Sequence, residues 1–327
     1  MYSGGREIVE EIQKSICVIA CYFGKFPVYF DLWLKSCSYN PTVDFLVYSE
    51  CGYEKELPAN VFIKQITLQE IKKRAEEIVG FSVSLEKAYR LCDFKPLYGE
   101  IFKSDLRNYD FWGFCDLDIM IGNIRKFITA DMLEKYDKIN RWGHLSFQRN
   151  TEECNRRYKL NAARYGYKEV LTGTRDFGFD EYDYISIYEK YGFPIWILPA
   201  DSYADIRARY KRFCVKGNNN YKEQVFYWEN GAVYREYLDR KNQLKKNEYL
   251  YIHFKQRGAL PVHFNENTGG VSSFYITNTG FYEKKDKVTK EIIQKYNMYP
   301  GENYEKYEDI KYRLKYNIRK VKRKYFD

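Results

Sequence analysis

Phe111-Trp112-Gly113-Phe114-Cys115-Asp116-Leu117-Asp118-Ile119-Met120 is an aromatic and apolar run that ends abruptly in two carboxylates one residue apart. The run reads as a buried strand. Acids at the end of a buried strand are costly unless something positive meets them. Strand alternation sends both carboxylates of an Asp-x-Asp to one side, across a small gap. A hard divalent cation that also carries a substrate's phosphate oxygens fits such a gap. The same residues also suit a plain strand-to-turn boundary with two solvated aspartates.

The rest of the chain supplies a context for this strand. Ser15 to Phe23 reads as another buried strand, broken by Gly24, with Pro27 starting a helix to about Ser38. Asp44–Ser49 and Asn60–Ile66 are further strands, and Thr67-Leu68-Gln69-Glu70 is a capping box opening a helix to about Val79. Continuous apolar strands alternating with helices predict an α/β fold with a mostly parallel sheet flanked by helices. Ligands of such sheets gather at the carboxyl ends of strands, where Gly24 and Asp116 both fall. Residues 84–108 read as mostly helical, with a break near Pro96 and Gly99. Thr129 opens another helix, Gly143–Asn150 is a strand running into a polar loop, and Thr151 caps a helix. Phe177-Gly178-Phe179-Asp180-Glu181 is a second aromatic–acidic junction, leading into a helix to Gly192, and 194–198 reads as one more core strand. From about residue 203 the pattern changes to short strands at 224–228, 232–237 and 248–254, with Asn230-Gly231 as a hairpin turn.

Composition narrows the class. A chain of 327 residues that is 45% apolar can bury a full core in one large domain or two smaller ones. The eight cysteines are scattered, with no C-x-x-C pair, and several lie inside apolar runs; this suits a reducing, cytoplasmic setting. The polar start from Met1 to Gln13 predicts no secretory leader, and no 18-residue apolar run predicts a membrane span. The net charge is +9, and the stretch Lys311–Lys324 holds eight Lys/Arg and no acid. A near-neutral body with a local basic appendage argues against a nucleic-acid-binding protein.

Only three histidines are present, so each is informative. His253 ends a strand just before Lys255 and Arg257. A neutral imidazole is a good third ligand for Mn²⁺, and the neighbouring cations could hold a diphosphate. A histidine satisfied at a strand end is the plainer alternative, and His144 and His263 are read as structural. Cleavage of a nucleotide sugar needs this equipment: a divalent ion, Mn²⁺ or Mg²⁺, stabilises the departing diphosphate. A general base, Asp180 or Glu181, would activate an acceptor hydroxyl. Acids favoured at a helix N-terminus are the alternative for that pair.

A buried N-terminal strand, Asp-Leu-Asp at 116–118, Gly-Phe-Asp-Glu at 178–181 and a late strand-end His253 together resemble GT-A-fold glycosyltransferases. More closely, Lys87-Ala-Tyr-Arg-Leu-Cys-Asp-Phe-Lys-Pro96, Tyr109-Asp-Phe-Trp-Gly-Phe-Cys-Asp-Leu-Asp118, Gly122-Asn-Ile-Arg125, Gly143-His-Leu145, Arg149-Asn150 and Tyr251-Ile-His-Phe254 resemble a bacterial family of formally unknown function. Its members tend to accompany capsule or surface-polysaccharide genes. The resemblance covers roughly residues 15–260. It implies a GT-A-like domain at 1–285, with a nucleotide-binding half at about 14–125 and an acceptor and metal-completing half at about 126–285. It further implies a metal-dependent transferase using a nucleotide-sugar donor, UDP being the expected nucleotide, and a glycan or lipid-linked oligosaccharide acceptor. Asp116, Asp118 and His253 map onto the metal ligands, and Asp180-Glu181, more loosely, onto the base of inverting members. The strand-1 loop, Tyr22-Phe23-Gly24-Lys25, falls where this fold stacks and hydrogen-bonds the base. Lys95 and Arg90 are placed to steer the diphosphate, with Arg90 also readable as a helix-surface charge. Arg149 and Asn150 are expected on the acceptor side.

The tail, 286–327, has its own pattern. Tyr307, Ile310, Leu314, Ile318, Val321 and Tyr325 recur at spacings of three and four, opposite a basic face. Such a helix suits the anionic inner face of a cell membrane; packing on its own domain is the alternative. A sugar-nucleotide nucleotidyltransferase is the rival enzyme class. It carries a Gly-rich basic loop after strand one, where this chain has only Gly24-Lys25.

Overall fold

A computed structural model describes residues 13–207, 210–255, 260–264 and 271–325. Its central sheet is built from β1 (Ile16–Cys21), β2 (Val43–Ser49), β3 (Val61–Gln65), β4 (Phe111–Cys115), β6 (Lys138–Ile139), β7 (Leu145–Arg149) and β8 (Ile195–Trp196). The order is β3-β2-β1-β4-β7-β6-β8. Strands β3, β2, β1 and β4 run parallel, β7 is antiparallel to both of its neighbours, and β6 and β8 pair in parallel. Both faces are covered, and strand alternation explains how. Ile16, Val18, Phe45, Phe111 and Cys115 pack into one core layer; Cys17, Ile19, Leu46, Trp112 and Phe114 pack into the other. The expected α/β class with a mostly parallel central sheet is therefore the architecture observed, and all eight cysteines are free.

A second, antiparallel sheet lies later in the chain, with β10 (Gln224–Glu229), β11 (Ala232–Leu238), β12 (Leu244–Tyr249), β14 (Ser273–Thr277) and β15 (Gly280–Glu283) in the order β12-β11-β10-β14-β15. Its first hairpin turns at Asn230 and Gly231, both at positive φ, +48° and +85°, as a two-residue turn of that hand requires. Between the two sheets, β5 (Ile119–Ile121), β9 (Ala204–Asp205) and β13 (Tyr251–His253) form a small third sheet, β5-β13-β9.

Several local expectations hold and several do not. Thr67 and Glu70 form the capping box of the helix Leu68–Val79, which Gly80 ends in the left-handed conformation. Residues 88–106 are helical in short 3₁₀ and α pieces, because Pro96 removes a backbone donor in mid-run. The predicted strand 194–198 shrinks to β8, half-buried at the sheet edge and not a core strand. The predicted strand 248–254 is two, broken at Leu250, whose backbone turns to bond Ser202 and Gly122. The acidic pair does not sit on an alternating strand: β4 stops at Cys115, and Asp116 to Asp118 are the bend carrying the chain from the central sheet into β5. Buried Leu117 anchors that bend in the core.

The terminal helix, Glu302–Tyr325, is tied at its start by Glu305 to Arg212 at 2.6 Å and by Asp309 to the Tyr210 hydroxyl at 2.6 Å. Beyond that the stripe of Tyr307, Ile310, Leu314 and Ile318 stays 56–59% exposed. Packing of this stripe on its own domain is thus not what the chain does.

Candidate active site

The bend after β4 positions Asp116 and Asp118, and the pairing of β5 with β13 brings His253 to them. In that antiparallel register His253 lies opposite Ile119, and the Phe254 amide donates to the Asp118 carbonyl at 3.0 Å. One carboxylate oxygen from each aspartate and one ring nitrogen of His253 all lie within 4.8 Å of one another. His253 Nε2 is 3.4 Å from Asp118 Oδ1. Two hard oxygens and an imidazole nitrogen make a donor set that Mn²⁺ or Mg²⁺ accepts. The donor set fits such an ion.

His253 is fixed from behind. Its Nδ1 is 3.1 Å from Asp205 Oδ1, on β9, whose parallel register sets Asp205 beside His253. Asp205 in turn accepts Lys216 Nζ at 2.9 Å and Lys255 Nζ at 3.3 Å. Burial pushes the Asp205 carboxyl up, but the His253 hydrogen bond and the charges around it hold it below the usual carboxylate range. Burial likewise opposes charging of His253, yet Asp118 and Asp205 raise it to about 9. His144 stacks on His253 with centroids 4.3 Å apart, and burial holds its own basicity well below that of free imidazole.

On the other side of Asp116 is Lys95, buried at the end of the short helix Leu91–Phe94. Its ammonium donates to Asp116 Oδ1 at 2.7 Å and to the Gly143 carbonyl at 2.8 Å, and lies 3.5 Å from Asp180 Oδ2. Asp180 is at the start of a π-helical turn, Phe179–Asp183, entered through Gly178 at φ +68°. Asp93 holds that entry by accepting the amides of Phe177 and Phe179 at 3.1 and 2.8 Å. Burial, then the neighbouring acids, push Asp180 up to about 7 against the pull of Lys95. Glu181 is half-buried, and its Oε1 accepts the Gly143 amide at 3.2 Å. Gly143 permits this crowding: a Cβ there would stand 2.1 Å from Asp180 Oδ2.

The strand-1 loop borders the same region, since the charge of Asp118 reaches Tyr22 and Tyr29. Tyr22 stacks on Phe26, Phe23 packs on the second core layer, and exposed Lys25 lines a cleft of about 620 Å³ with Gly24, Glu50 and Tyr53. The structure therefore gathers Asp116, Asp118, His253, Lys95, Lys255, Asp180 and Glu181, with Tyr22 nearby, while Phe23 packs on the core and Lys25 lines the separate cleft. Arg257 lies outside the described residues. Arg90 is no surface charge and no diphosphate ligand: it is buried, bonded to Asp93 and to the Val170 and Arg175 carbonyls. Arg149 and Asn150 lie at the opposite end of the sheet, beside Phe111, where they bond the carbonyls of Leu133, Glu134 and Tyr136 and of Leu106 and Tyr109. Asp205 escaped the sequence reading because only strand register brings it in, and Lys216 because it enters only through its contact with Asp205. His144 stood in a quoted motif, but its contact with His253 is long-range.

An α/β chain with a metal-capable carboxylate–imidazole cluster at the carboxyl end of its central strands is the class defined so far. The family model described as "Family of unknown function (DUF6625)" matches residues 18–285, and the chain belongs to that family. No curated protein matches it in sequence. Two solved structures that overlap it are the galactosyltransferase LgtC in complex with donor and acceptor sugar analogues and the apo form of mouse xyloside xylosyltransferase 1. The first is 9% identical, covering 58% of this chain and 75% of that one at a TM-score of 0.37. The second is 10% identical, covering 59% and 88% at 0.36. At these scores the overlaps identify neither activity nor substrate.

A raised Asp180 has a thermodynamic signature. Its folded pKa of about 7 exceeds the unfolded carboxylate value of about 4, so the native state binds the extra proton between those limits and loses stability as pH rises through them. Asp180→Asn mimics the protonated acid and removes that loss. Urea denaturation should show the variant gaining on the parent chain by on the order of 1–4 kcal/mol between pH 4 and pH 8. A pH-independent difference would place Asp180 in water.

Proposed function

We propose that this chain is a metal-dependent glycosyltransferase of the GT-A kind, moving a sugar from a UDP-linked donor to a glycan or lipid-linked acceptor in surface-polysaccharide synthesis. The observation that carries the reading is the convergence of Asp116, Asp118 and His253 within 4.8 Å, from a strand bend and a distant strand. In this reading residues 14–125 form the nucleotide-binding half, and 126–285 supply the metal-completing and acceptor side.

A divalent ion held by Asp116, Asp118 and His253 would supply Lewis-acid charge for the departing diphosphate. The protein's own residues do the rest. Lys255 stands beside His253 as a fixed ammonium for diphosphate oxygens. Tyr22 and Phe23 offer aromatic faces to the base, worth on the order of 1–3 kcal/mol per stacked base. Lys25 adds a charge at the cleft mouth. Lys95 holds Asp116 and Asp180 at one ammonium and so fixes the spacing between donor side and base. Asp180, desolvated and titrating near neutrality, takes the proton of the acceptor hydroxyl at a carboxylate oxygen; Glu181, on the same Gly143, is the fallback. Direct displacement by that hydroxyl inverts the anomeric configuration.

The basic terminal helix completes the reading as a peripheral contact with the cytoplasmic face of the cell membrane. No helix among the described residues is long and apolar enough to cross a membrane. The exposed stripe of Ile310, Leu314 and Ile318 would enter the interface, and each basic residue near an anionic surface adds about 1 kcal/mol.

Asp118→Asn should abolish Mn²⁺-dependent binding of UDP in a calorimetric titration, since it removes a charged ligand; undiminished affinity would sink the metal assignment. With a nucleotide-sugar donor turned over, NMR of the product should show the anomer opposite to that of the donor, and a retained configuration rules out Asp180 as base for single displacement. Leu314→Glu should weaken co-sedimentation with phosphatidylserine vesicles at least tenfold without altering UDP affinity. Equal sedimentation of the variant and the parent chain overturns the membrane contact.

A further inference from the structure

A neutral histidine that gives Nε2 to a cation must keep its proton on Nδ1, and a buried N–H needs an acceptor. Resting on the metal reading above, we propose that Asp205 is the positioning residue that makes His253 a metal ligand. Three observations converge on it. Asp205 Oδ1 lies 3.1 Å from His253 Nδ1, the nitrogen turned away from the acidic pair, while Nε2 is the one near Asp118. The parallel β9–β13 register pairs Asp205 with His253 directly, and the Ile206 amide bonds the His253 carbonyl at 2.9 Å, so the two side chains cannot drift apart independently. The His144 ring lies 4.3 Å from the His253 ring at 30°, closing one face against rotation.

Asp205 is itself immobilised. It is 3% exposed, and Lys216 and Lys255 hold its two oxygens at 2.9 and 3.3 Å. Those contacts also decide between the two groupings that His253 could serve. His144, Asp205 and His253 also present ligand atoms within 4.8 Å of one another, but two ammoniums already occupy both oxygens of the Asp205 carboxylate, whereas Lys95 takes only Oδ1 of Asp116. The cluster with Asp116 and Asp118 takes the cation, and Asp205 orients. The same carboxylate keeps Lys216 and Lys255 together beside the metal ligand, which adds Lys216, a residue that neither motif nor spacing marks, to the cationic side of the site.

The test is a mutant cycle read by electron paramagnetic resonance of free Mn²⁺ in metal titrations, with no substrate present. Asp205→Ala should weaken Mn²⁺ binding by about 10–100-fold. In a His253→Ala background the same change should alter affinity by no more than about twofold, because Asp205 acts through the imidazole. Asp205→Asn keeps an acceptor oxygen and should lose less; if the alanine chain does not fold, it runs the same cycle, its loss again vanishing without His253. An Asp205→Ala affinity within twofold of the parent, or a loss that persists without His253, overturns the proposal. A parent chain that takes up no Mn²⁺ overturns the metal reading and this inference with it, whereas normal uptake with an insensitive Asp205 overturns this inference alone.

Discussion

The Lys95 ammonium is the interaction on which the site depends. A lysine buried to 5% exposure cannot stay charged without partners, and burial alone would push its basicity down. Here Asp116 and Asp180 reverse that effect, and the Gly143 carbonyl fills a further donor position. Four segments distant in sequence meet at one charge: the short helix before Pro96, the bend after β4, the turn before β7 and the π-helical turn at 179. Removing the ammonium would leave two buried or half-buried carboxylates facing each other, which is the expensive half of a broken ion pair, roughly 3–5 kcal/mol.

The small sheet β5-β13-β9 performs the complementary task on the other side of the acidic pair. Strand register sets His253 between Ile119, the residue after Asp118, and Asp205, and the Phe254 amide ties the Asp118 carbonyl, without a long loop whose ordering would cost entropy. The cations fall into two groups, Lys95 beside Asp116 and the pair Lys216 and Lys255 behind His253. Positive charge therefore stands on both sides of the acidic pair.

How much of this was legible beforehand follows from the range of each interaction. The central strands were readable because fully buried strands show as apolar runs, and the capping box at Thr67 and the turn at Asn230-Gly231 are local chemistry. Asp116 and Asp118 stood out as acids ending such a run, and His253 as one of only three histidines, next to cations. The bend at 116–118 reads as strand because nothing in residues 111–120 marks where the chain changes sheets. Arg90, expected beside the diphosphate or on the surface, and Arg149, expected on the acceptor side, lie elsewhere because an arginine that bonds backbone carbonyls has no sequence signature different from one that meets a ligand. Asp205 and Lys216 are invisible at any local scale, since only the pairing of β9 with β13 brings Asp205 to His253 and only a contact with Asp205 brings Lys216 in.

The most direct measurement is anomalous diffraction from crystals of this chain grown with Mn²⁺ and UDP. One strong manganese peak is expected within coordination distance of Asp116, Asp118 and His253 Nε2, with the diphosphate reaching it from the side of Lys255. A nucleotide bound with no peak there, or a peak held by His144 and Asp205 instead, would contradict it.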